Sequence, residues 1–366
     1  MGNRSLLAAG PRALVLTSAQ GKAPRGGDAW LAALAAAIRQ VGTDGGVLIG
    51  SAAPLPWDIA LILAAAAKVP VILIATQGSD ALEADFWRWV ANYQLDANRL
   101  LLLSPISRAH RKSGWRQRDA LAWSLAERVI PISIRPGGRL AAGLIGLPET
   151  RLDRRWHVEY DPHPWTPSIV VPTLVRGEGE HSEWLVHWTR RTYQRWPDET
   201  MASFCQAILE STERWCRDAP ATLEHILATG ILRGSRFRSA GGAPVVSFTG
   251  ATPSEMRRNF RWCARKVAPM WEPWGIAIRR EALIALGGHP VMYGMGESEI
   301  PAWCRHSGGP FTGEVEWRVH GDLRLADIPS ADWHPIFPSG AQITAKSTGA
   351  NALSWEEWIA ASSDVG

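Results

Sequence analysis

The sequence predicts two domains in series, an α/β domain built on a parallel sheet and then an α+β domain. Three observations predict this. Short apolar runs with no period alternate with helical stretches through about the first 150 residues, the pattern of strands buried on both faces between helical layers. The segment Glu159-Tyr-Asp-Pro-His-Pro-Trp-Thr-Pro-Ser168 is proline-rich and cannot form an uninterrupted helix or a central strand. Beyond it, short strands are interspersed with helices. At 366 residues the chain also exceeds the size at which one core is usual. The expected division is a first domain over 10–155, a linker over 156–182, a second domain over 183–335 and a tail over 336–366.

Arg12 to Ser18 reads as an apolar strand ending in hydroxyl residues, and Asp28 caps a helix running through Ala37. Strand Gly46 to Gly50, a loop with Ser51, helix Trp57 to Lys68 and strand Val69 to Ala75 follow. Then come strand Leu100 to Leu103, closed by Ser104 and Pro105, helix Arg118 to Arg128, strand Val129 to Ile134 and the turn Arg135-Pro-Gly-Gly-Arg139.

In the second half, Trp184 to Thr189 reads as a strand and Met201 to Arg217 as a helix. Thr222 to Gly230 is a short helix stopped by glycine. Strand Pro244 to Thr249, an arginine-rich helix, strand Trp274 to Ile278, helix Arg280 to Leu286, strand His289 to Tyr293 and a strand around Glu316 complete the series.

An apolar fraction of 46% with 25 prolines and 34 glycines describes a globular chain rather than a disordered or fibrous one. Twenty tryptophans are read first as core and inter-element packing. The four cysteines, Cys205, Cys216, Cys263 and Cys304, form no CxxC pair, so neither a metal site nor a disulfide framework is expected. No secretory signal is read at the N-terminus, and the apolar run from Ile59 to Ile74 is broken by Lys68 and Pro70. The expected location is the cytoplasm, with no membrane partner. A net charge of +4 is mild, yet arginines group at 151, 154 and 155, at 190, 191 and 195, and at 257, 258, 261 and 265. Solvated helix faces account for such groups, and a phosphate-bearing ligand or nucleic acid is the sharper reading.

In open parallel sheets, ligands sit beyond the carboxyl ends of the strands. The candidates there are Thr17, Ser18, Gly50, Ser51, Arg118, Gly137 and Gly138. No GxGxxG or GxxxxGK[ST] occurs, so neither a dinucleotide fingerprint nor a Walker loop is claimed. The helix Arg118-Asp-Ala-Leu-Ala-Trp-Ser-Leu-Ala-Glu127, its following strand and Pro136-Gly-Gly138 resemble the SLOG branch of Rossmann-like domains, which holds the Smf/DprA DNA-processing proteins and the LOG nucleotide hydrolases. Gly50-Ser51 is similar to that family's earlier small-residue turn. The resemblance covers roughly residues 10 to 150. Asp119 replaces the usual Asn, and no acidic residue follows the glycines closely. It therefore implies a nucleotide-sensing or docking domain rather than a hydrolase.

Two carboxylates one residue apart stand in Phe311-Thr-Gly-Glu314-Val-Glu316-Trp317-Arg318. With His187 in Leu185-Val-His187-Trp-Thr189-Arg190, and Ser247 and Thr249 in Val245-Val-Ser247-Phe-Thr249-Gly250, they give a polar anchor on each of three strands. The motif order over residues 184 to 328 resembles AbiGi-type abortive-infection proteins and, more distantly, DarT DNA ADP-ribosyltransferases. That resemblance implies an ADP-ribosyltransferase-like fold using NAD to modify nucleic acid or protein in phage defence or stress response. Glu316 would stabilise an oxocarbenium-like transition state and Glu314 would orient or deprotonate the acceptor. His187 would bond the adenosine-side ribose, Ser247 or Thr249 would shape the nicotinamide pocket, and Tyr293 would stack on nicotinamide. Thr189 belongs to the same strand-end set, and Arg190 or Arg318 would meet the pyrophosphate. His225 is either a second NAD contact or a helix-end histidine favoured by the dipole. Such chemistry requires Glu316, His187 and Ser247 to face one cleft, whereas a non-catalytic nucleotide- or DNA-binding protein would scatter them. NAD hydrolysis without an acceptor would use the same pocket. An oligomer is compatible with either reading.

Overall fold

In the computed structural model the first elements are β1 (Arg12–Leu16), α1 (Ala29–Thr43), β2 (Val47–Gly50), α2 (Leu55–Ala66), β3 (Val71–Ile74), α3 (Leu82–Tyr93), β4 (Leu100–Leu103), α4 (Arg111–Leu125), β5 (Arg128–Pro131) and α5 (Arg139–Ile145). The structure describes residues 1–76, 81–104, 111–161, 171, 183–214, 217–236, 242–263, 268–293, 301–306, 315–341 and 352–358. The strands pair in the order β4-β3-β2-β1-β5, all parallel.

Alternate residues of these strands serve two cores. Ala13, Val15, Leu48, Val71 and Leu73 pack with the apolar stripe Trp30, Leu31, Leu34, Ala37, Ile38 and Val41 of α1 and with α2. Leu14, Leu16, Ile49, Ile74 and Val129 pack against Ala122 of α4 and Leu144 of α5. Coverage of both sides explains why the strands read as unbroken apolar runs. α2 lies close enough to β2 that a Cβ on Gly50 would meet Leu61 Cδ2 at 2.7 Å. The expected Rossmann-like parallel α/β sheet is thus present, with α4 beginning seven residues earlier than its sequence pattern suggested.

The chain divides into two units, Met1–Trp165 with Tyr193–Cys216, and Thr166–Thr192 with Arg217–Gly366. This differs from the contiguous division read from the sequence. The reason is α6 (Met201–Glu210), which places Ala202, Phe204, Cys205 and Ile208 in the first unit's core alongside Ile59 and Phe86. Thr200 starts it by accepting from Ser203 N–H at 3.1 Å, and Ser211 ends it, short of the Arg217 expected.

The second unit contains β6 (Trp184–Trp188), α7 (Ala219–Thr229), β7 (Ile231–Leu232), β8 (Val245–Thr249), α8 (Pro253–Asn259), β9 (Trp262–Cys263), β10 (Ala268–Pro269), β11 (Gly275–Arg279) and α9 (Arg280–Ala285). Beyond these lie β12 (His289–Pro290), β13 (Met292–Tyr293), β14 (Arg305–His306), β15 (Glu316–His320), β16 (Leu323–Arg324), β17 (Trp333–Phe337) and β18 (Leu353–Ser354). α7 is capped by Asp218 and ended by Gly230 in the left-handed conformation, φ +67°.

Seven strands form a mixed sheet in the order β12-β15-β8-β6-β11-β17-β18. On one face Leu185, Val246, Phe248, Ile276, Ile278 and Val319 pack against Leu223 and Ile226 of α7 and Leu283 of α9. On the other, Trp184, Val186, Ala277 and Ile336 pack against Met256, Phe260, Trp355 and Trp358. The tail therefore docks. β18 pairs in parallel with β17, and Trp355 and Trp358 are buried. Among the described residues no helix is long and apolar enough to cross a membrane.

Candidate functional site

At the carboxyl edge of the parallel sheet, most of the expected ligand groups bond to their own fold. Ser18 Oγ accepts from Arg135 N–H at 2.9 Å, and Ser51 Oγ, fully buried, donates to Ile74 O at 2.7 Å. Arg118 is buried, grips Asp119 Oδ1 through Nε and Nη2, and donates to Ala53 O at 2.9 Å. Its guanidinium also lies 5.2 Å from the Trp57 ring centroid. Gly137 takes φ +67° with open space around it, and Gly138 heads α5. Thr17 differs from its neighbours: its hydroxyl is buried with no hydrogen-bond partner among the described residues.

Sequence reasoning missed a buried carboxyl beside this edge. Asp58 Oδ1 accepts from Tyr93 Oη at 2.6 Å and from Ala53 N–H at 3.1 Å. Burial raises its pKa to about 6, against the lowering effects of Tyr93, the Ala53 amide and Arg195. The available signal was one carboxylate in the first turn of an otherwise apolar helix.

Members of the first two arginine groups are likewise engaged. Arg151 donates to Trp123 O at 3.0 Å, Arg155 pairs with Asp153, and Arg191 pairs with the buried Glu272.

In the second unit the three anchor-bearing strands stand side by side, although β6 ends at Trp188 and β15 begins only at Glu316. Across β8 and β15, Glu316 faces Thr249, Arg318 faces Ser247 and His320 faces Val245. Period-two alternation therefore sets Glu316, Arg318, Ser247 and Thr249 on one face. Ser247 Oγ donates to Glu316 Oε1 at 3.0 Å, and Arg318 Nε donates to the same oxygen at 2.8 Å. Arg318 is 4% exposed at its side chain and Glu316 16%. The carboxylate is thus oriented by two donors while it keeps access to solvent. Arg318 also donates to Trp303 O at 2.9 Å, so its guanidinium is committed within the fold.

His187 does not share that face, so the three anchors do not meet in one cleft as the transferase reading required. Alternation along β6 sets it with Leu185, and its ring lies 5.8 Å from that of Phe248. It reaches Ser247 through the backbone, with Nδ1 2.9 Å from the Ser247 carbonyl oxygen. A carbonyl only accepts, so Nδ1 carries the hydrogen. Burial lowers the His187 pKa, the Ser247 carbonyl raises it and Arg190 lowers it again. The ring is accordingly neutral at pH 7. β6 and β8 share the single pair Val186↔Thr249, so the sheet has a seam at this point.

The remaining expected residues fall into two kinds. Thr189 is buried with its hydroxyl within 3.0 Å of the Ala219 and Trp274 carbonyls, and Thr249 Oγ1 accepts from Ala251 N–H at 3.1 Å; both are bound up in local structure. Arg190 is exposed beyond the end of β6, and His225 is half-buried in α7. Tyr293 is placed by its backbone alone, opposite His306, and Glu314 lies outside the described residues. Among those residues no group of three or more His, Cys, Asp or Glu could hold a metal ion.

No protein-family profile matches the chain, and no curated protein does. Among solved structures it is similar to DNA processing protein A from Helicobacter pylori, described for its single-stranded DNA binding mode. The likeness has 14% identity and a TM-score of 0.28, and covers 37% of this chain. It spans 60% of that chain, less than two thirds of its length. No residue role is transferred from it.

Proposed function

We propose that the chain is a nucleotide-handling protein in which the parallel-sheet unit binds a nucleotide and the second unit carries an NAD-dependent ADP-ribosyltransferase-like site centred on Glu316. The observation that carries this is the oriented carboxylate: Glu316 Oε1 held by both Ser247 Oγ and Arg318 Nε. Breaking the nicotinamide–ribose bond sends its electron pair to the nicotinamide nitrogen and leaves positive charge on the ribose. A fixed, water-accessible carboxylate stabilises that charge more than it stabilises the ground state. Ser247 and Arg318 keep it from reorienting as charge develops. The acceptor then bonds to the ribose carbon and gives up a proton, the task that the resemblance assigns to Glu314.

A second reading has its own support. His187 occupies the opposite face of its sheet and is fixed by a backbone carbonyl, as a structural histidine would be. A non-catalytic nucleotide- or DNA-binding protein accommodates that placement without further assumption, whereas the transferase reading then needs its ribose contact from a residue other than His187.

The two separate in one assay. Purified protein is incubated with adenine-labelled NAD, single-stranded DNA, RNA and cell lysate, beside Glu316→Gln. Label on a macromolecule with the unaltered protein alone supports transfer and gives the acceptor class; free ADP-ribose alone indicates hydrolysis. No turnover, with candidate nucleotides also supplied, leaves the binding protein.

A further inference from the structure

On the face that carries Glu316, the sheet continues into a cluster of three rings that no expected role uses. Alternation along β15 puts His320 on the same side as Glu316 and Arg318, and His289 on the edge strand β12 pairs with Arg318. Trp303 lies between these histidines. Its ring centroid is 5.9 Å from that of His289 and 5.7 Å from that of His320. Its carbonyl receives Arg318 Nη1, and Arg318 in turn holds Glu316. Both imidazoles are exposed and the indole is half-buried.

The ring angles matter. Neither imidazole is parallel to the indole, the interplanar angles being 65° and 47°. A column of parallel rings would use its faces on itself, whereas splayed rings at a sheet edge leave π surface for another flat group. Aromatic and imidazole rings in such settings accept nucleobases by stacking, with little demand on base identity. The Trp303 backbone anchor also places the cluster in register with the carboxylate, since one guanidinium bonds to both.

We propose that Trp303, flanked by His289 and His320, is a nucleobase-stacking platform serving the Glu316 site. This rests on the transferase-like reading of Glu316 for its purpose and on the ring geometry for its existence. The base belongs either to NAD or to a nucleic-acid acceptor.

The test is equilibrium binding to the full chain, without turnover, of adenosine 5′-monophosphate, NAD, a thymidine oligonucleotide and ribose 5-phosphate. His289→Ala with His320→Ala removes two exposed rings and leaves the half-buried indole in place, and Trp303→Phe keeps an aromatic ring there. Expected is at least a ~tenfold loss of affinity in the double variant for one base-bearing probe, none for ribose 5-phosphate, and retention in Trp303→Phe. Loss for NAD identifies the dinucleotide's base; loss for the oligonucleotide alone identifies the acceptor's. Unchanged affinity for every base-bearing probe, or equal loss for ribose 5-phosphate, overturns the platform. The two readings fail separately: base binding without NAD turnover removes the transferase alone, and turnover with affinity indifferent to the rings removes the platform alone.

Discussion

Ser247 and Glu316, 69 residues apart in sequence, meet across β8 and β15 with the serine Oγ 3.0 Å from the carboxylate Oε1. Neighbouring register pairs bring them diagonally together on one face, and Arg318 completes the set from directly opposite Ser247. The arrangement separates two roles that one substitution would confuse. Glu316 supplies charge, whereas Ser247 supplies direction.

Glu316→Gln is therefore expected to reduce any NAD turnover by roughly 10²-fold or more. It also leaves Arg318 buried without its carboxylate, at a cost of about 1–3 kcal/mol. Ser247→Ala should lower turnover less, with a stability change under about 1 kcal/mol, since Ser247 is exposed. Steady-state kinetics and urea melts of both variants check this. Equal kinetic loss in the two would refute the division of roles.

Asp58 makes stability depend on pH in a particular direction. Its carboxyl titrates at about 6 in the folded protein, raised first by burial, against an ordinary 3.8. Between about pH 4 and 6 the folded state thus holds a proton that the unfolded chain has released, and stability from this group falls as pH rises through that window. The penalty above pH 6 is about 2–3 kcal/mol. Asp58→Asn should be more stable than the unaltered protein at pH 7.5 and close to it at pH 4. Urea melts at the two pH values decide, and an advantage that does not depend on pH would count against the titration.

Phe204→Ala should destabilise the parallel-sheet unit, although residue 204 lies beyond the proline-rich segment. Its ring is 4% exposed in the core shared with α1 and α2, and such truncations cost about 3–5 kcal/mol. Hydrogen exchange of the β1 to β5 amides reads the effect. Loss of protection confined to β6 to β18 would contradict the placement of α6.

Trp355→Ala should cost the second unit a similar ~3–5 kcal/mol. The indole is fully buried, with ring centroids 5.7 Å from Trp188 and 5.4 Å from Phe260. A thermal melt indistinguishable from that of the unaltered protein would show the tail to be dispensable.

Legibility in the sequence followed the range of the interactions. The parallel strands were readable because burial on both faces forces unbroken apolar runs, and the end of α7 because Gly230 writes it locally, whereas its start at the Asp218 cap precedes the Thr222 read from the sequence. The division into units was not, because α6 carries an ordinary amphipathic pattern and nothing in its residues names the core it joins. At the site, the strand around Glu316 was readable, but the face that Glu316 shares with Arg318 and His320 was drawn only from its pairing with β8. The opposite facing of His187 depends on how β6 and β8 align at their single shared pair, a long-range fact. The involvement of Trp303 and His289 depends on strand partners far away in the chain.

The return of α6 to the first unit makes order of synthesis part of the fold. The parallel sheet is finished once β5 has been made, yet its core lacks Phe204, Cys205 and Ile208 until residue 208 has left the ribosome. By then β6 has already emerged, with its sheet partners still to come. A cut at residue 182 would strand a first unit with an open apolar flank, and a fragment starting at 183 would carry a helix belonging to the part removed. The first unit thus depends on chain supplied from beyond the proline-rich segment.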